Sequence, residues 1–476
     1  MSIRRNAVSL LICRLSGDSL NLLFFILISR AFGPAGIGIY AYGFAVGTLF
    51  YALGCLGIEE YGLREYARMD ASGRRQFMAE LMGTQTLMVA AALLGLTLYL
   101  LATRPAPPVL FVVLSLTAYQ IGSAIASTLF VPAMGQQFML GPALADVLCR
   151  ALAMLIAVVA IFFKHATLAQ SLLGWPVATV LYLALAVASA RRHGGTLRVL
   201  LSRPAVQRIA GTLFSFAGIE VLSQLLSRIG VIALTLLRGA AVVGFYATGL
   251  KLVEVALRPL YFIGVAAYPR LSQQFQQDPV RFQRISNALL WLMVLTAGAL
   301  AWALYYVAPL LLVPVLGARY AGGEPVIRLV AAIALMQACE AILGRLLYAA
   351  DLQVARSAIV ALGAVASVTL NLALIPTLGV NGAVIGTALA FALINLFYVR
   401  SLRRPLLGCG LIRTCVTLVI GVGASLVVAS LPYTRHLPPW AQAVVTAIVF
   451  CLIVAGSYWR SQRAAAPNRA ARTQEC

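Results

Sequence analysis

Three charged residues interrupt an otherwise apolar segment that begins at Gly244. Lys251, Glu254 and Arg258 are spaced by three and four positions, so a helix would place all three on one face. Two bases and one acid leave a net positive charge, and a guanidinium group can donate two hydrogen bonds at once to a phosphate. The chemistry that this spacing favours is therefore the binding of an anionic group.

Ionisable residues also occur within other apolar segments. Arg14 and Asp18, like Asp146 and Arg150, have the spacing of ion pairs within a helix. The candidate substrate-binding residues are Arg14, Asp18, Arg150, Arg228, Lys251, Glu254, Arg258 and Arg345. Two interpretations stay open: these groups line a polar, net cationic cavity, or they form ion pairs that tie helices together.

Enzyme chemistry is not indicated by the sequence. The three histidines lie far apart, the eight cysteines include no CxxC pair, and no phosphate-binding loop of the GxxxxGK type occurs. We therefore expect no catalytic residue, no metal site and no bound cofactor. Coupling to a gradient of H⁺ or Na⁺ stays open, with Asp18 or Glu254 as the group that would be neutralised.

The elements that carry these residues are predicted to be membrane-spanning helices. With 62% hydrophobic and 11% charged residues among 476, the chain is too apolar for a soluble domain, and we predict an all-α polytopic membrane protein. Apolar runs of about 20 residues mark about 14 transmembrane helices. They lie near 8–30, 37–58, 79–102, 108–131, 139–163, 168–189, 209–237, 242–268, 286–313, 325–349, 354–376, 380–400, 409–431 and 440–459.

A basic segment divides this series of helices into two halves. The predicted domains are an N-lobe of helices 1–6 (residues 1–190), a cytoplasmic basic linker (191–208), a C-lobe of helices 7–12 (209–404), helices 13 and 14 (405–459) and a disordered cytoplasmic tail (460–476). Gly38 and Gly244 are separated by 206 positions, as are Arg64 and Arg270. We therefore expect the two six-helix lobes to be related by a pseudo-twofold axis, with two additional C-terminal helices.

The distribution of positive charge predicts the topology. The loops that share the predicted side of the termini carry 23 Arg residues, whereas the opposite loops carry six Arg or Lys residues. Positively charged loops stay in the cytoplasm, so both termini are expected there. We assign the net charge of +22 to these loops and to contacts with anionic membrane lipids, and we expect no nucleic-acid partner.

Three phrases of the sequence resemble a known family. They are RAFGPAGIGIY at Arg30–Tyr40, VGFY at Val243–Tyr246 continuing through YPRL at Tyr268–Leu271, and NLALIPTLGVNGA at Asn371–Ala383. Together they resemble the Wzx-type polysaccharide flippases, lipid-linked oligosaccharide flippases of the multidrug/oligosaccharidyl-lipid/polysaccharide exporter superfamily. The resemblance covers nearly the whole chain, with the phrases in the same order.

The resemblance implies two six-helix lobes around a central cavity in a bacterial inner (plasma) membrane. It implies a flippase that moves a polyprenyl-pyrophosphate-linked oligosaccharide to the periplasmic leaflet by alternating access, for O-antigen (lipopolysaccharide), capsule or exopolysaccharide synthesis. A glycan polymerase and a chain-length regulator are the implied protein partners. The peptidoglycan-precursor branch uses cavity arginines in its first and eighth helices, where Arg14 and either Arg258 or Lys251 stand here. Its basic residue in the second helix has no counterpart between Gly36 and Gly57, which argues against a lipid II flippase.

Two other functions remain as alternatives. A multidrug or cation antiporter of the same superfamily would need acidic groups within the membrane, for which Asp18 and Glu220 are candidates. A membrane enzyme that polymerises lipid-linked glycans would need a long periplasmic loop, and the predicted outer loops are short. For movement of the lobes, we expect hinges at Gly33-Pro34, Gly141-Pro142 and Pro259.

Overall fold

A computed structural model describes residues 3–404, 406 and 410–472 of the chain, and the regular structure in these residues is helical. The first helices are α1 (Ile3–Cys55), α2 (Ile58–Arg68), α3 (Ala71–Thr103), α4 (Pro107–Gly135), α5 (Leu140–Lys164), α6 (Leu168–Ser171), α7 (Gly174–Arg192), α8 (Arg203–Arg238) and α9 (Ala240–Gln277). They are followed by α10 (Pro279–Trp302), α11 (Ala308–Leu316), α12 (Glu324–Ala349), α13 (Gln353–Leu378), α14 (Val380–Leu402), α15 (Leu411–Ser430), α16 (Pro432–Arg435) and α17 (Pro439–Arg472). A π-helical turn, Ala303–Val307, joins α10 to α11.

The predicted membrane-spanning character is confirmed. Within the described residues, 13 helical segments are long and apolar enough to cross a membrane. The first of them, Ile12–Arg68, contains a break at Gly33 and so accounts for two of the predicted spans. The count therefore agrees with about 14 transmembrane helices and with an all-α polytopic fold.

The three predicted hinges differ in backbone geometry. Gly33 has φ 66° and ψ −165°, a combination that is essentially confined to glycine, and it breaks α1 immediately before Pro34. Pro259 lies inside α9. Gly141-Pro142 lies in the first turn of α5, where a backbone N–H has no partner within the helix. The proline therefore removes no hydrogen bond, and the helix is not interrupted at this pair.

The end of the described chain differs from the expected disordered tail. The last helix, α17, continues to Arg472, so residues 460–472 are helical. This segment is rich in Ala and Arg, two residues with high intrinsic helix propensity. Residues 473–476 lie outside the described residues.

By their internal contacts the residues form two compact units, Met1–Gly244 and Phe245–Cys476. In the first unit α4 is central and packs against α1, α2 and α7. Its buried residues Val113 and Ser115, two positions apart, face opposite sides of the helix, which is typical of a helix surrounded by others. The helix α8 packs against α1 and α3 in this unit, and the predicted division at residues 191–208 stays a prediction.

Two glycines allow α1 to cross the beginning of α9 at very close range. A side-chain carbon at Gly38 would overlap the carbonyl group of Ala240, and one at Gly244 would overlap the carbonyl group of Pro34. Pro34 and Ala240 are separated by 206 positions, as are the two glycines. The contacts are therefore reciprocal, which is the pattern of a local twofold axis between segments 34–38 and 240–244.

In the second unit α12 has the most central position. It packs against α10, α13 and α14, and its residues Ile327, Ile333 and Leu346 are fully buried. The last two long helices, α15 and α17, pack against each other and against α10. The side chains that α12 and α9 place in this unit form the candidate site described next.

Candidate substrate-binding site

One carboxylate on α9 binds two bases. Lys251 Nζ donates a hydrogen bond to Glu254 Oε2 at 3.2 Å, and Arg258 Nη2 donates one to Glu254 Oε1 at 3.0 Å. The predicted spacing of three and four residues therefore gives real ion pairs along one face of the helix. The side chains of Lys251, Glu254 and Arg258 are 20%, 38% and 37% exposed, so none of them is sealed within the helix packing.

The same face of α9 continues one turn further. Tyr261 follows Arg258 by three positions, and the guanidinium carbon of Arg345, from α12, lies 4.9 Å from the centre of the Tyr261 ring. This distance is that of a cation–π contact. We call the group Lys251, Glu254, Arg258, Tyr261 and Arg345 the α9 stripe. Its formal charge is +2, because three bases face one acid.

A glycine sets the position of Arg345 against α9. A side-chain carbon added at Gly264 would lie 3.2 Å from Arg345 Cγ, which is tighter than ordinary contact. The absence of a side chain at Gly264 therefore lets the aliphatic part of Arg345 lie on α9, with its charged end over Tyr261.

A second group of candidate residues lies in the first unit. Arg150 Nε donates to both carboxylate oxygens of Asp146, at 3.0 and 2.9 Å, and both residues are on α5. Gly17 of α1 packs on this pair, because a carbon added there would lie 3.5 Å from Asp146 Oδ2 and 3.6 Å from Arg150 Nε. Asp18 is close enough to Arg150 to interact with it electrostatically. This group balances its charges more evenly than the α9 stripe does.

The predicted pair of Arg14 with Asp18 stays a prediction. Arg14 is exposed and lies within electrostatic range of Glu59 on α2. A partner on a second helix is within its reach, so helical spacing alone does not fix which acid it binds. Arg228 of α8 lies with its guanidinium carbon 5.3 Å from the ring centre of Phe44.

Sequence reasoning missed one network in the second unit. Glu340 Oε1 accepts a hydrogen bond from Arg356 Nη2 at 3.2 Å and from the Tyr398 hydroxyl at 3.4 Å. Arg356 Nη1 also donates to the Tyr348 hydroxyl at 2.7 Å. These residues come from α12, α13 and α14, so only the packing of the helices brings them together. The Glu340–Arg356 ion pair and the two tyrosines hold three helices together. For these residues the interpretation of charged groups as structural ion pairs applies.

Solved structures with the same fold are membrane transporters. The inward closed conformation of the lipid II flippase MurJ has a TM-score of 0.71 at 11% identity, covering 96% of this chain and 99% of that one. An inward-facing multidrug resistance MATE family transporter of the MOP superfamily has a TM-score of 0.62 at 14% identity, covering 83% and 98%. A mutant of the Vibrio cholerae MATE transporter VcmN has a TM-score of 0.52 at 16% identity, covering 84% and 96%. No curated protein matches the chain at a significant level.

The fold and the polar groups within its helices define the class: a multi-pass membrane protein with the helical fold of MurJ and the MATE transporters. The sequence narrows this class further. Residues 3–275, more than half of the chain, match the family described as "Polysaccharide biosynthesis protein". The chain belongs to that family, and the resemblance found in its three phrases is confirmed.

Proposed function

We propose that this protein is a flippase that carries a polyprenyl-pyrophosphate-linked oligosaccharide across the bacterial inner membrane. The product would supply O-antigen, capsule or exopolysaccharide synthesis. Membership of the polysaccharide biosynthesis family supports the glycan as cargo. The observation that carries the proposal is the α9 stripe, where three bases and one acid give a positive surface that a ligand can reach.

The geometry of the stripe suits a pyrophosphate group. Arg258 offers a planar fork of donors and Lys251 a compact positive charge, and both can bind phosphate oxygens. Glu254 lies between the two bases on one face of α9 and restrains both side chains, so less conformational entropy is lost when they bind. The Tyr261 ring, backed by Arg345, offers an apolar face on which a sugar can stack. Arg14 and Arg228 belong to the other unit, and their contact with the substrate stays a prediction.

Transport by alternating access requires an inward-facing and an outward-facing state. Multidrug resistance MATE family transporters of this fold have been solved in inward-facing and outward-facing conformations, which supports this mechanism for the chain. The excess of Arg in one set of loops supports an orientation with both termini in the cytoplasm. A gradient of H⁺ or Na⁺ would drive the return step by neutralising Asp18 or Glu254.

An export assay in the producing bacterium tests this proposal. We expect Arg258→Gln and Lys251→Gln each to lower glycan export at least 10-fold, since a hydrogen bond to a charged group contributes about 1.5–3 kcal/mol. Arg328→Gln is the matched control, because Arg328 also pairs with a glutamate four positions away, Glu324, on α12. Its export should stay normal, with all variants present at equal protein level. Normal export by both α9 variants would refute the proposal.

An antiporter for drugs or cations is the second candidate. The two carboxylates Asp18 and Asp146 in the first unit favour it, because they outnumber their shared neighbour Arg150 and cationic cargo needs carboxylates within the membrane. A strain that lacks the protein would then be sensitive to cationic drugs and would still export its glycan. Loss of glycan export without drug sensitivity is the result that we expect.

A further inference from the structure

A groove of about 680 Å³ opens between the beginning of α13 and the end of α14. Its volume lies in the range of ligand pockets, roughly 300–1,000 Å³. On the α13 side its wall is formed by Ala355, Ala358 and Ile359, which share one helix face by their spacing of three and four. This wall is apolar, and the two alanines are small enough to leave room beside it.

The α14 wall of the groove changes from apolar to basic along its length. Arg400, Ser401 and Arg404 follow Phe397 by three, four and seven positions and so share its face, and Arg403 completes the rim. The aromatic residue lies toward the middle of the membrane-spanning helix, and the three arginines lie at and just beyond its end at Leu402. The groove therefore has an apolar part and a cationic mouth.

The three arginines at this mouth are available to a ligand. Among the residues that the structure describes, Arg400, Arg403 and Arg404 have no ion pair and no side-chain hydrogen bond, and all three are exposed. Arg356, the residue after Ala355 of the groove wall, is by contrast bound to Glu340. The partial negative charge at the end of α14 offsets only part of the repulsion among three adjacent cations, so the binding of an external anion there is favourable.

Two features decide the chemical class of this anion. A free inorganic phosphate would use the arginines only and would leave the apolar walls exposed. An anionic phospholipid has a phosphate at the level of the helix ends and acyl chains that continue toward the membrane interior, the same order as the groove. We propose that the α13–α14 groove binds an anionic phospholipid, with its phosphate on Arg400, Arg403 and Arg404 and the upper part of an acyl chain along Ala355, Ala358 and Phe397. Basic pockets between membrane helices are known to hold such headgroups.

Native mass spectrometry of the full chain in detergent tests this site. Phosphatidylglycerol is titrated against the wild type, the groove variant Arg400→Gln/Arg403→Gln/Arg404→Gln, and a control variant, Arg191→Gln/Arg192→Gln/Arg198→Gln. The control removes the same number of charges at and after the end of α7. Each arginine near an anionic lipid contributes about fivefold in affinity, so the groove variant should bind roughly 100-fold more weakly and the control variant as the wild type does.

Two additional measurements are needed. Other ligands show whether the bound anion is a phospholipid or free phosphate, and a second variant shows that lost binding is not caused by misfolding. Zwitterionic phosphatidylethanolamine should bind weakly to all variants, and inorganic phosphate should not displace phosphatidylglycerol. Ala358→Trp fills the groove without changing its charge, and the exposed position of Ala358 favours normal folding; it should also lower binding. The proposal is overturned if groove and control variants bind phosphatidylglycerol equally, if Ala358→Trp binds like the wild type, or if inorganic phosphate competes with the lipid.

Discussion

The crossing of α1 with the beginning of α9 at Gly38 and Gly244 yields a sharp test of the fold of the first unit. Each glycine faces the backbone carbonyl group of the other helix, at Ala240 and Pro34 respectively. A methyl group at either glycine would lie more than 1 Å inside the 3.4 Å of ordinary contact. Since the obstacle is backbone, no change of rotamer relieves it, and the helices must separate.

The expected magnitude follows from two opposing terms. Overpacking costs about 1–3 kcal/mol, whereas alanine stabilises a helix by roughly 0.5–1 kcal/mol over glycine. The difference spans roughly 0–2.5 kcal/mol, and because the overlap is with backbone we expect Gly38→Ala and Gly244→Ala each to destabilise the protein by about 1–2 kcal/mol. One separation of the helices relieves both overlaps, so the double variant should lose at least about 0.5 kcal/mol less than the summed single losses.

Thermal unfolding of the purified protein in detergent measures these effects. Gly423→Ala in α15 and Gly456→Ala in α17 are matched controls, because a carbon added at either glycine meets no atom within 4 Å. Their melting temperatures should stay the same or rise, and those of the crossing variants should fall. Additive losses in the double variant, or a rise in melting temperature for Gly38→Ala, would contradict the close crossing.

Breaking the Asp146–Arg150 pair should cost more than removing it: Arg150→Leu should lower the free energy of unfolding by about 2 kcal/mol more than the double variant Asp146→Leu/Arg150→Leu does, and its melting temperature should be the lower of the two. Equal melting temperatures would mean that the carboxylate is solvated. Tyr261→Phe should keep glycan export and Tyr261→Ala should lower it about two- to fivefold, because the ring face is what contacts Arg345; equal export by both would exclude this contact from transport. Gly33→Ala should destabilise the protein by about 1–3 kcal/mol, since φ 66° with ψ −165° strains any side chain, and an unchanged melting curve would argue against the break in α1.

Local patterns in the sequence predict the parts of this protein that depend on neighbours along one helix. The spans follow from apolar runs, and the pairs of Glu254 with Lys251 and Arg258 follow from spacing. Arg14 shows the limit of this reasoning, because it lies within electrostatic range of Glu59 on another helix, and spacing along one helix contains no information about such a partner.

Contacts between helices that are distant in sequence could not be predicted in this way. The position of Arg345 over Tyr261 depends on how α12 packs on α9 at Gly264, and the Glu340–Arg356 pair depends on the packing of α12 with α13. The glycines Gly38 and Gly244 were recognised as equivalent positions of a repeat. The contacts of Gly38 with α9 and of Gly244 with α1 are properties of the fold. A single sequence contains no signal for them.

The most direct test of the central claim is the rate at which the purified protein moves lipid-linked glycan across the bilayer of reconstituted vesicles. The substrate is a polyprenyl-pyrophosphate-linked oligosaccharide with a label that an added reagent reaches only in the outer leaflet. We predict rapid movement by the wild type and by Arg328→Gln, and at least a 10-fold slower rate for Lys251→Gln/Arg258→Gln. Equal rates for the double variant and the wild type would contradict the claim that the α9 stripe binds the pyrophosphate.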